Sequence, residues 1–381
     1  MENRAPESNE IEITIFGPGI GEAIAVHLGN NEWLLVDSCR VGNNQKAASL
    51  EYLETIGVDP AQAVRLIVAT HWHNDHIKGL SQIVENSRSA KFVCPQVLTN
   101  KEFLKLIELQ NADSSFMSDT SEFDAIINHF ARIGALTDRN NHPFLYGTAN
   151  KRLLYRKAAR EVCACEVYSL SPSDKATALW HNMLAAALAP NQPFRKRITP
   201  PSPNQISVAL WITVGATQIL LGADLEETGN GVGGWKVIVE SNERPDAKAS
   251  VNKVAHHGSE NGHYPDVWSR MLEPNPVALV APYNSGRKKL PSLDDVTRII
   301  RLTNRAFITS PLRDRTFRGK TGSVNRTINE VARRIRTADA EEGYIRIRKS
   351  ADDASDKWRI ELFGKALPLS SVQAEGSNFP S

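Results

Sequence analysis

Residues 70–76 read THWHNDH and follow directly on the apolar run LIVA. Along a strand, side chains two residues apart share a face, so His71 and His73 are expected to point the same way from the strand end. The turn that follows can bring Asp75 and His76 toward the same point. Imidazole and carboxylate suit zinc, iron, manganese or nickel, and the lack of a nearby thiolate argues against a closed structural zinc site. The stretch therefore predicts a metal centre at the end of a buried strand.

The spacing His-x-His-x-Asp-His after a hydrophobic strand resembles the signature of the metallo-β-lactamase superfamily. The alternative is a surface loop that is rich in histidine by chance, although only ten histidines occur in 381 residues and three of them fall within these seven positions. The resemblance implies an α/β (α+β) hydrolase built as an αββα sandwich. In that fold two mixed sheets pack face to face, helices cover the outer faces, and the metal ions bind at strand ends.

Length and composition set wider limits. The chain has 381 residues, of which 41% are hydrophobic and 23% charged, as in a soluble globular protein. A net charge of +2 does not by itself indicate a nucleic-acid or membrane partner. The first ten residues are polar and no stretch is typical of a membrane span, so we expect a cytoplasmic protein. The four cysteines lack the pattern of a disulfide scaffold and are expected to be reduced core thiols.

Three short strands are predicted before the histidine cluster, at residues 11–15, 23–28 and 33–37, and the third ends in Asp37. In the family that this opening resembles, such an aspartate supports the metal site from behind its ligands. A carboxylate there holds a ligand imidazole in one tautomer and raises its basicity. Asp37 is therefore predicted to support catalysis, and a turn or helix cap is the alternative.

Two later strand ends carry further candidate ligands. The run QILLGAD, residues 218–224, predicts a strand that ends in Asp224, where the family has a carboxylate shared by two metal ions. The alternative for Asp224 is an ordinary helix cap. Residues 251–259 read VNKVAHHGS, so that a second apolar strand ends in His256 and His257.

The His-His-Gly-Ser turn resembles the hydrolase domain of ComEC-type DNA-uptake proteins and their soluble relatives. One of the two histidines is expected to bind the second metal ion, and we favour His256. The other would contact the substrate or protonate the leaving oxygen.

One feature departs from the broad superfamily. The strand at residues 167–173 ends in Ser-Pro, where the family often supplies a further histidine to the first metal ion. His142 and His181 are the nearest histidines in the sequence, and packing in an Ala-rich helix explains His181. Two metal ions could still bind with water filling the gap, or one could bind loosely.

The resemblance implies two divalent metal ions, zinc or manganese. The first would be bound by His71, His73 and Asp224. The second would be bound by Asp75, His76, Asp224 and one of His256 and His257. Asp75 would also orient the attacking water, and the residues predicted to serve catalysis are Asp75, His257 and Asp37.

The resemblance divides the chain into two parts. Residues 1–310 would form the hydrolase domain, with a helical insertion at about 95–165 that shapes the entrance of the active site. Residues 311–381 would add a C-terminal extension, with a helix and a hairpin, that packs on the same domain. From about residue 366 the chain is expected to be frayed.

These observations predict a hydrolase that uses metal-bound hydroxide, most specifically a phosphodiesterase or nuclease. Basic clusters at 195–197 and 287–289 would contact the phosphates of a nucleic-acid substrate or form a solvated face. Two alternatives stay open. One is a hydrolase of a small carbonyl substrate such as a lactone, thioester or β-lactam, and the other is a non-catalytic, metal-stabilised subunit of a multi-protein system.

Overall fold

The computed structural model describes most of the chain, namely residues 4–42, 44–96, 121–138, 141–159, 162–187, 202–229, 231–285, 289–312, 343–353 and 357–376. The first part runs through β1 (Glu10–Phe16), β2 (Ala23–His27), β3 (Trp33–Val36), β4 (Arg40–Val41), β5 (Lys46–Ala47), α1 (Ala48–Thr55), α2 (Pro60–Ala63), β6 (Val64–Val68), α3 (Asn74–Ile77), α4 (Leu80–Asn86), β7 (Lys91–Pro95), α5 (Ser121–Arg132), β8 (Phe144–Gly147) and β9 (Lys151–Arg156). The second part runs through β10 (Cys165–Ser169), α6 (Asp174–Ala187), β11 (Leu210–Val214), β12 (Thr217–Leu221), α7 (Trp235–Glu240), β13 (Ala249–Lys253), β14 (Leu272–Val280), α8 (Leu293–Leu302), β15 (Ala306–Ile308), β16 (Tyr344–Ser350), β17 (Arg359–Phe363), β18 (Leu367–Pro368) and α9 (Leu369–Gly376).

The strands form two eight-stranded sheets and one small ribbon. The first sheet has the order β17-β16-β1-β2-β3-β6-β7-β8, the second has the order β18-β15-β14-β13-β12-β11-β10-β9, and β4 pairs with β5. In the first sheet β3, β6 and β7 are parallel, as the strand–helix–strand pattern of the sequence predicts. In the second sheet β12, β13, β14 and β15 are parallel. The carboxyl ends of these parallel strands therefore lie at one edge of each sheet.

The hydrophobic core lies between the two sheets, because alternate residues of each strand point inward. Ile11, Ile13 and Ile15 of β1 are buried in the same cluster as Ile212 and Val214 of β11. A second cluster joins the outer face of the first sheet to α1, α4 and α5, and two more lie against the outer face of the second sheet. This arrangement of helix, sheet, sheet and helix confirms the predicted αββα sandwich.

The predicted helical insertion is only partly helical. Helix α5 lies where helical spacing predicts it, and Phe123, Ile126 and Phe130 bury its apolar face against the first sheet. The following strands β8 and β9 extend the first and the second sheet, respectively. Residues 97–120 of the insertion lie outside the described residues. The described part of the insertion thus packs behind the first sheet and adds an edge strand to each sheet.

Glu122 joins α5 to the region that follows the histidine cluster. Its carboxylate accepts hydrogen bonds from the backbone N–H of Gly79 at 2.8 Å and of Ser81 at 3.0 Å, and from the guanidinium of Arg40 at 2.7 Å. The Gly79 and Ser81 groups lie in the first turn of α4, which has no other side-chain cap. Glu122 therefore holds α4 in place directly behind the segment that carries the candidate ligands.

Replacing Glu122 with alanine is expected to lower the free energy of unfolding by about 2–3 kcal/mol, because two backbone donors and a guanidinium lose a charged acceptor. Urea denaturation followed by circular dichroism measures the loss. The neighbouring Asp124 is exposed on the same helix, and its replacement with alanine is expected to cost less than about 1 kcal/mol. Equal losses in the two variants would contradict the role given to Glu122.

The C-terminal hairpin extends the first sheet. Strand β16 pairs antiparallel with β1 and with β17, and Arg348 of β16 donates to Glu12 of β1 over 2.5 Å in a buried ion pair. The expectation that the chain is frayed from about residue 366 is wrong for residues 367–376, since Leu369 and Val372 of α9 are buried against the second sheet. Residues 313–342, where the predicted helix of the extension falls, lie outside the described residues, and the domain boundary at 310 stays a prediction.

Among the helices that the structure describes, none is both long and apolar enough to cross a lipid bilayer.

Candidate metal centre

Three strand ends meet where the two sheets come together. Strand β6 of the first sheet leads into residues 70–76, while β12 and β13 of the second sheet lead into Asp224 and His257. A backbone hydrogen bond from the Val208 N–H to the Thr70 carbonyl, 3.0 Å long, joins the two sides directly. The parallel topology explains the convergence, because the carboxyl ends of parallel strands share an edge of the sheet.

Gly222 allows β12 and β13 to approach closely at their ends. A Cβ atom at this position would lie 2.9 Å from the carbonyl oxygen of Lys253, and the Gly222 N–H donates to that same oxygen at 3.0 Å. Any side chain here would push the two strand ends apart. The glycine therefore helps to place Asp224 beside the residues that follow β13.

Four side chains from these strand ends form one cluster. Asp75, His76, Asp224 and His257 each offer a ligand atom within 4.8 Å of those of the others. The Nε2 atom of His257 lies 3.2 Å from Asp75 Oδ2 and 3.2 Å from Asp224 Oδ2, and His76 Nε2 lies 3.3 Å from Asp224 Oδ2. Their role as metal ligands stays a prediction, but the structure brings together one complete set of the residues assigned to the second ion.

His71 and His73 lie next to this cluster. The Nε2 atom of His71 is 3.2 Å from the Nδ1 atom of His73, and the rings of His71 and His76 are 4.3 Å apart between centroids. The two nitrogen atoms that face each other belong to residues two apart on an extended segment, as the spacing predicts. The residues assigned to the first ion are thus neighbours of those assigned to the second.

Three of the four imidazoles are held through the Nδ1 atom. His76 Nδ1 lies 2.7 Å from Asp37 Oδ2, His257 Nδ1 lies 3.0 Å from the Ala281 carbonyl, and His71 Nδ1 lies 2.9 Å from the Thr70 hydroxyl. Carbonyl and carboxylate oxygens can only accept, so Nδ1 of His76 and of His257 carries a proton and Nε2 faces the cluster, where it offers a lone pair when the ring is neutral.

Asp37 fixes two of these imidazoles at once. Its Oδ2 atom accepts from the Thr70 hydroxyl at 2.7 Å as well as from His76, and its Oδ1 atom accepts from the Thr70 N–H at 2.8 Å. Since the Thr70 hydroxyl uses its hydrogen on Asp37, it accepts from His71, which leaves the Nε2 lone pair of His71 facing His73. The structure therefore places Asp37 behind the candidate ligands, where it orients them without lining the cavity.

The charges of the cluster favour a cation at its centre. Burial lowers the pKa of His257, but the carboxylates of Asp224, Asp75 and Glu22 outweigh it and raise the pKa to about 9. The pKa of His76 is raised in the same way, against burial, by Asp224, Asp75 and Asp37. Burial raises the pKa of Asp75 and of Asp224, yet the two imidazoles keep both values below the ordinary range. Both carboxylates therefore stay ionised and attract positive charge.

The residues present fit a divalent metal ion. Among the described residues, the buried atoms His76 Nε2 and Asp224 Oδ1 have no partner with good hydrogen-bond geometry; their polar contacts include the Asp224 carboxylate, 3.3 Å from His76 Nε2, and the Lys253 ammonium, 3.7 Å from Asp224 Oδ1. Buried polar atoms nearly always have a partner, so such atoms in a cluster indicate a ligand. Imidazole nitrogen and carboxylate oxygen are donors that zinc and manganese accept. The donor set does not distinguish between the two metals.

The preference for His256 over His257 as a ligand is not supported. His256 turns away from the carboxylates: its Nε2 atom lies 3.1 Å from the Asn204 side-chain nitrogen and its Nδ1 atom lies 2.8 Å from Asn261 Oδ1. Both ring nitrogens are thus engaged with amide groups. His257, not His256, faces Asp75 and Asp224, and His256 lines the cavity beside this cluster.

Four non-glycine residues at the centre have a left-handed backbone conformation. Asp37, Ala223, His256 and His257 have positive φ angles of 57°, 46°, 47° and 53°. A side chain in this left-handed region is uncommon, and such residues persist where the surrounding structure over-determines them. Each of the four is, or directly precedes, a residue of the site. The left-handed residues change the direction of the chain at the strand ends, so that the side chains there point toward the site.

A cavity of about 360 Å³ opens over the cluster. Its walls include three kinds of residue that the sequence does not single out: the amide Asn204, the acid Glu226 and the aromatic ring of Tyr283. Tyr283 stacks on His257 with ring centroids 5.5 Å apart. Glu226 lies two residues after the predicted strand end at Asp224, which is the one sequence signal that could have found it.

A buried lysine lies beneath Asp224 and was not predicted. The ammonium of Lys253 is fully buried, 2.7 Å from Glu22 Oε1 and 3.7 Å from Asp224 Oδ1, and it donates to the Ala223 carbonyl at 2.9 Å. Burial lowers its pKa, but Glu22 and Asp224 outweigh burial and raise it. The sequence feature that could have indicated this buried lysine is a charged residue within the apolar strand VNKVA.

The structure adds no further histidine to His71 and His73. All ten histidines lie among the described residues, and neither His142 nor His181 lines the cavity. On the side of the second sheet, the Ser207 hydroxyl lies 3.4 Å from His71 Nδ1, and the Ser171 hydroxyl donates to the Ser207 carbonyl. The Ser-Pro strand end therefore supports the position of His71 without supplying a ligand.

Comparison with known proteins gives a family match and distant structural neighbours. YhfI from Bacillus subtilis, a metallo-beta-lactamase fold protein, has 14% identity over 64% of this chain and 70% of its own, with a TM-score of 0.30. Zinc-bound PqqB from Methylobacterium extorquens has 10% identity over 73% of this chain and 83% of its own, with a TM-score of 0.30. MEM-A1, a subclass B3 metallo-beta-lactamase from a soil metagenome library, has 10% identity over 58% of this chain and 64% of its own, with a TM-score of 0.27.

No curated protein matches the sequence. The sequence model of the family described as the Metallo-beta-lactamase superfamily matches residues 16–124, the segment that contains Asp37 and the histidine cluster. In this segment the chain is similar to that superfamily, and its two-sheet αββα architecture is the fold that the resemblance implies.

Proposed function

We propose that the protein is a metal-dependent phosphodiesterase, and more specifically a nuclease that hydrolyses the phosphodiester bonds of a nucleic acid. The observation that carries the proposal is the pair of adjoining ligand groups, His71 with His73 and Asp75 with His76, Asp224 and His257, at the floor of a polar cavity. Two divalent ions bound there would lower the pKa of water and offset the charge that gathers on the entering and leaving oxygens of an in-line displacement.

Asp75 is the residue best placed to orient water. Its side chain is 13% exposed and lines the cavity, whereas Asp224 is 3% exposed. Since His76 and His257 keep the pKa of Asp75 low against burial, its carboxylate accepts hydrogen bonds at neutral pH. Asp75 therefore both faces the cluster and presents an acceptor to the substrate side.

Basic residues in the sequence support an anionic substrate. Tyr283 and Leu290 both line the cavity and pair with each other through backbone hydrogen bonds of 2.8 and 2.9 Å. Between them the sequence carries Arg287, Lys288 and Lys289, of which Lys289 is among the described residues. The other basic cluster, residues 195–197, lies outside the described residues. Cationic side chains on a segment that begins and ends at the cavity suit a phosphate backbone.

Protein loaded with zinc or manganese is expected to hydrolyse bis(4-nitrophenyl) phosphate, and single-stranded DNA or RNA more efficiently. A chelator should abolish the activity and added metal should restore it. For nucleic acid, the apparent affinity should fall steeply as salt rises, by about 0.7 logarithmic units per phosphate contact for each tenfold increase in salt. A steady-state assay over this panel measures all three effects.

Two results would replace the proposal. Hydrolysis of lactones, thioesters or β-lactams without hydrolysis of any phosphodiester would indicate a carbonyl hydrolase. Full metal occupancy without turnover on the whole panel would indicate a metal-stabilised subunit that binds a partner.

A further inference from the structure

One wall of the cavity is a hydrogen-bonded group of polar side chains centred on Glu226. The Oε1 atom of Glu226 accepts from the side-chain amide of Asn261 at 2.8 Å and from that of Asn204 at 3.1 Å. His256 Nδ1 lies 3.4 Å from the same oxygen. Three neighbours thus hold one oxygen of a single carboxylate, and the side chain cannot turn without breaking these contacts.

The second carboxylate oxygen of Glu226 is left for a ligand. It accepts no hydrogen bond from any described residue, while the side chain is 18% exposed and lines the cavity beside Asp224. A carboxylate held by one oxygen is pre-organised, so a ligand that bonds to the other oxygen loses little by ordering it. The wall therefore presents a fixed hydrogen-bond acceptor next to the cluster.

We propose that Glu226 is a specificity-determining residue that accepts a hydrogen bond from a hydroxyl or amino group of the substrate next to the scissile phosphate. The proposal rests on the proposed phosphodiesterase function and names its substrate class: a phosphodiester of a donor-bearing group such as a nucleoside. A simple aryl or alkyl diester lacks the donor and would leave the oxygen unpaired. A site built to bond a hydroxyl or N–H group rejects analogues that lack it.

Charge supports the same assignment. A second phosphate against Glu226 would bring two negative charges together in a partly buried wall, where like charges repel strongly. The group that binds this wall is therefore not an anion, and the negative charge of the substrate lies over the cluster itself. The lining of the cavity also includes the Tyr283 ring, which adds an aromatic surface beside His257.

Substitution of Glu226 by glutamine reverses the polarity of the wall at nearly constant size. The amides of Asn204 and Asn261 donate toward this position, so they hold the oxygen of the new side chain, and its NH₂ group then takes the place of the free oxygen. An acceptor becomes a donor, which faces the donor of the substrate. Glu227→Gln is the matched control, because Glu227 belongs to the same loop but caps the backbone of Gly229 and Lys236.

Calorimetric titration of metal-loaded protein tests the proposal with three probes: uridine 5′-phosphate, thymidine 5′-phosphate and phenyl phosphate. Wild type and Glu227→Gln are expected to bind the nucleotides at least about tenfold more tightly than phenyl phosphate. In Glu226→Gln this ratio should fall to near one, with metal content unchanged. A loss confined to the uridine nucleotide assigns the donor to the 2′-hydroxyl, and an equal loss for both nucleotides assigns it to a group they share.

An unchanged ratio in Glu226→Gln, or an equal loss in Glu227→Gln, would overturn the proposal. Hydrolysis of bis(4-nitrophenyl) phosphate by wild type is measured beside the titration and tests the function separately. Selective nucleotide binding without any hydrolysis would refute the phosphodiesterase and keep the Glu226 site. Hydrolysis with no preference for nucleotides would keep the enzyme and refute the site.

Discussion

Replacing His257 with alanine is expected to weaken the binding of a divalent ion at the Asp75–Asp224 cluster by about 100-fold or more. Loss of a residue that merely supports a ligand costs about 10–100-fold in metal affinity, and loss of a direct ligand should reach at least the upper end of that range. His257 Nε2 lies 3.2 Å from both carboxylates, so its removal opens the cluster on one side. Competition with a chromophoric chelator measures the affinity for zinc.

His256→Ala is the matched control, since it removes the same side chain one residue earlier in the chain. Because His256 bonds to Asn204 and Asn261 rather than to the carboxylates, the loss of metal affinity should stay below about tenfold. The reverse order of effects would restore the prediction made from the sequence. Equal and large effects would show that the wall around His256 is needed to form the cluster.

Much of the fold follows from local sequence patterns. The alternation in β1 and the continuous apolar runs of β3 and β6 predict strands, and the crossovers between them predict parallel pairing, as the structure confirms. Two features could not be predicted. Strands β8 and β9 are short edge strands, and they belong to an insertion that was predicted to be helical because helix α5 dominates its sequence pattern. Helix α9 is ordered because Leu369 and Val372 are buried against strands that are distant in the sequence.

The site was predictable where a motif carries it. Spacing in residues 70–76 indicates which side chains share a face, and the strand ends at Asp224 and His257 follow from apolar runs that stop at polar residues. The choice between His256 and His257 depends on two successive left-handed residues. Local sequence gives no sign of such strain, because the surrounding structure imposes it.

The polar contacts around the site were not predictable for a different reason. Glu226 meets Asn204 and Asn261 through segments far apart in the sequence, and Lys253 meets Glu22 across the two sheets. Such pairs have no local period and no fixed spacing. These contacts form only when the two sheets form and pack together. The residues that line and support the cavity could therefore be identified only from the structure.

Replacing Lys253 with methionine is expected to lower the free energy of unfolding by about 3–5 kcal/mol, because the carboxylate of Glu22 would remain buried without its cation. Both side chains are almost fully buried, and Nζ lies 2.7 Å from Oε1. The Glu22 N–H also donates to the Asp75 carbonyl at 2.8 Å, so the pair ties the strand end of β13 to the segment that carries Asp75. Urea denaturation in the presence of a chelator measures the loss without a contribution from metal binding.

The double variant Lys253→Met with Glu22→Gln tests whether the uncompensated charge of Glu22 causes the loss. It removes both buried charges, and a buried pair replaced as a whole is often close to neutral in stability. We therefore expect it to recover most of the loss, because the amide of glutamine leaves no uncompensated charge beneath the site. If the single and double variants were equally destabilised, the loss would come from the contacts of the ammonium with the Ala223 carbonyl and Asp224 rather than from the uncompensated charge of Glu22. Recovery of stability without recovery of zinc affinity would instead show that the ammonium itself holds Asp224 Oδ1, 3.7 Å away, in the orientation that presents Oδ2 to His76 and His257.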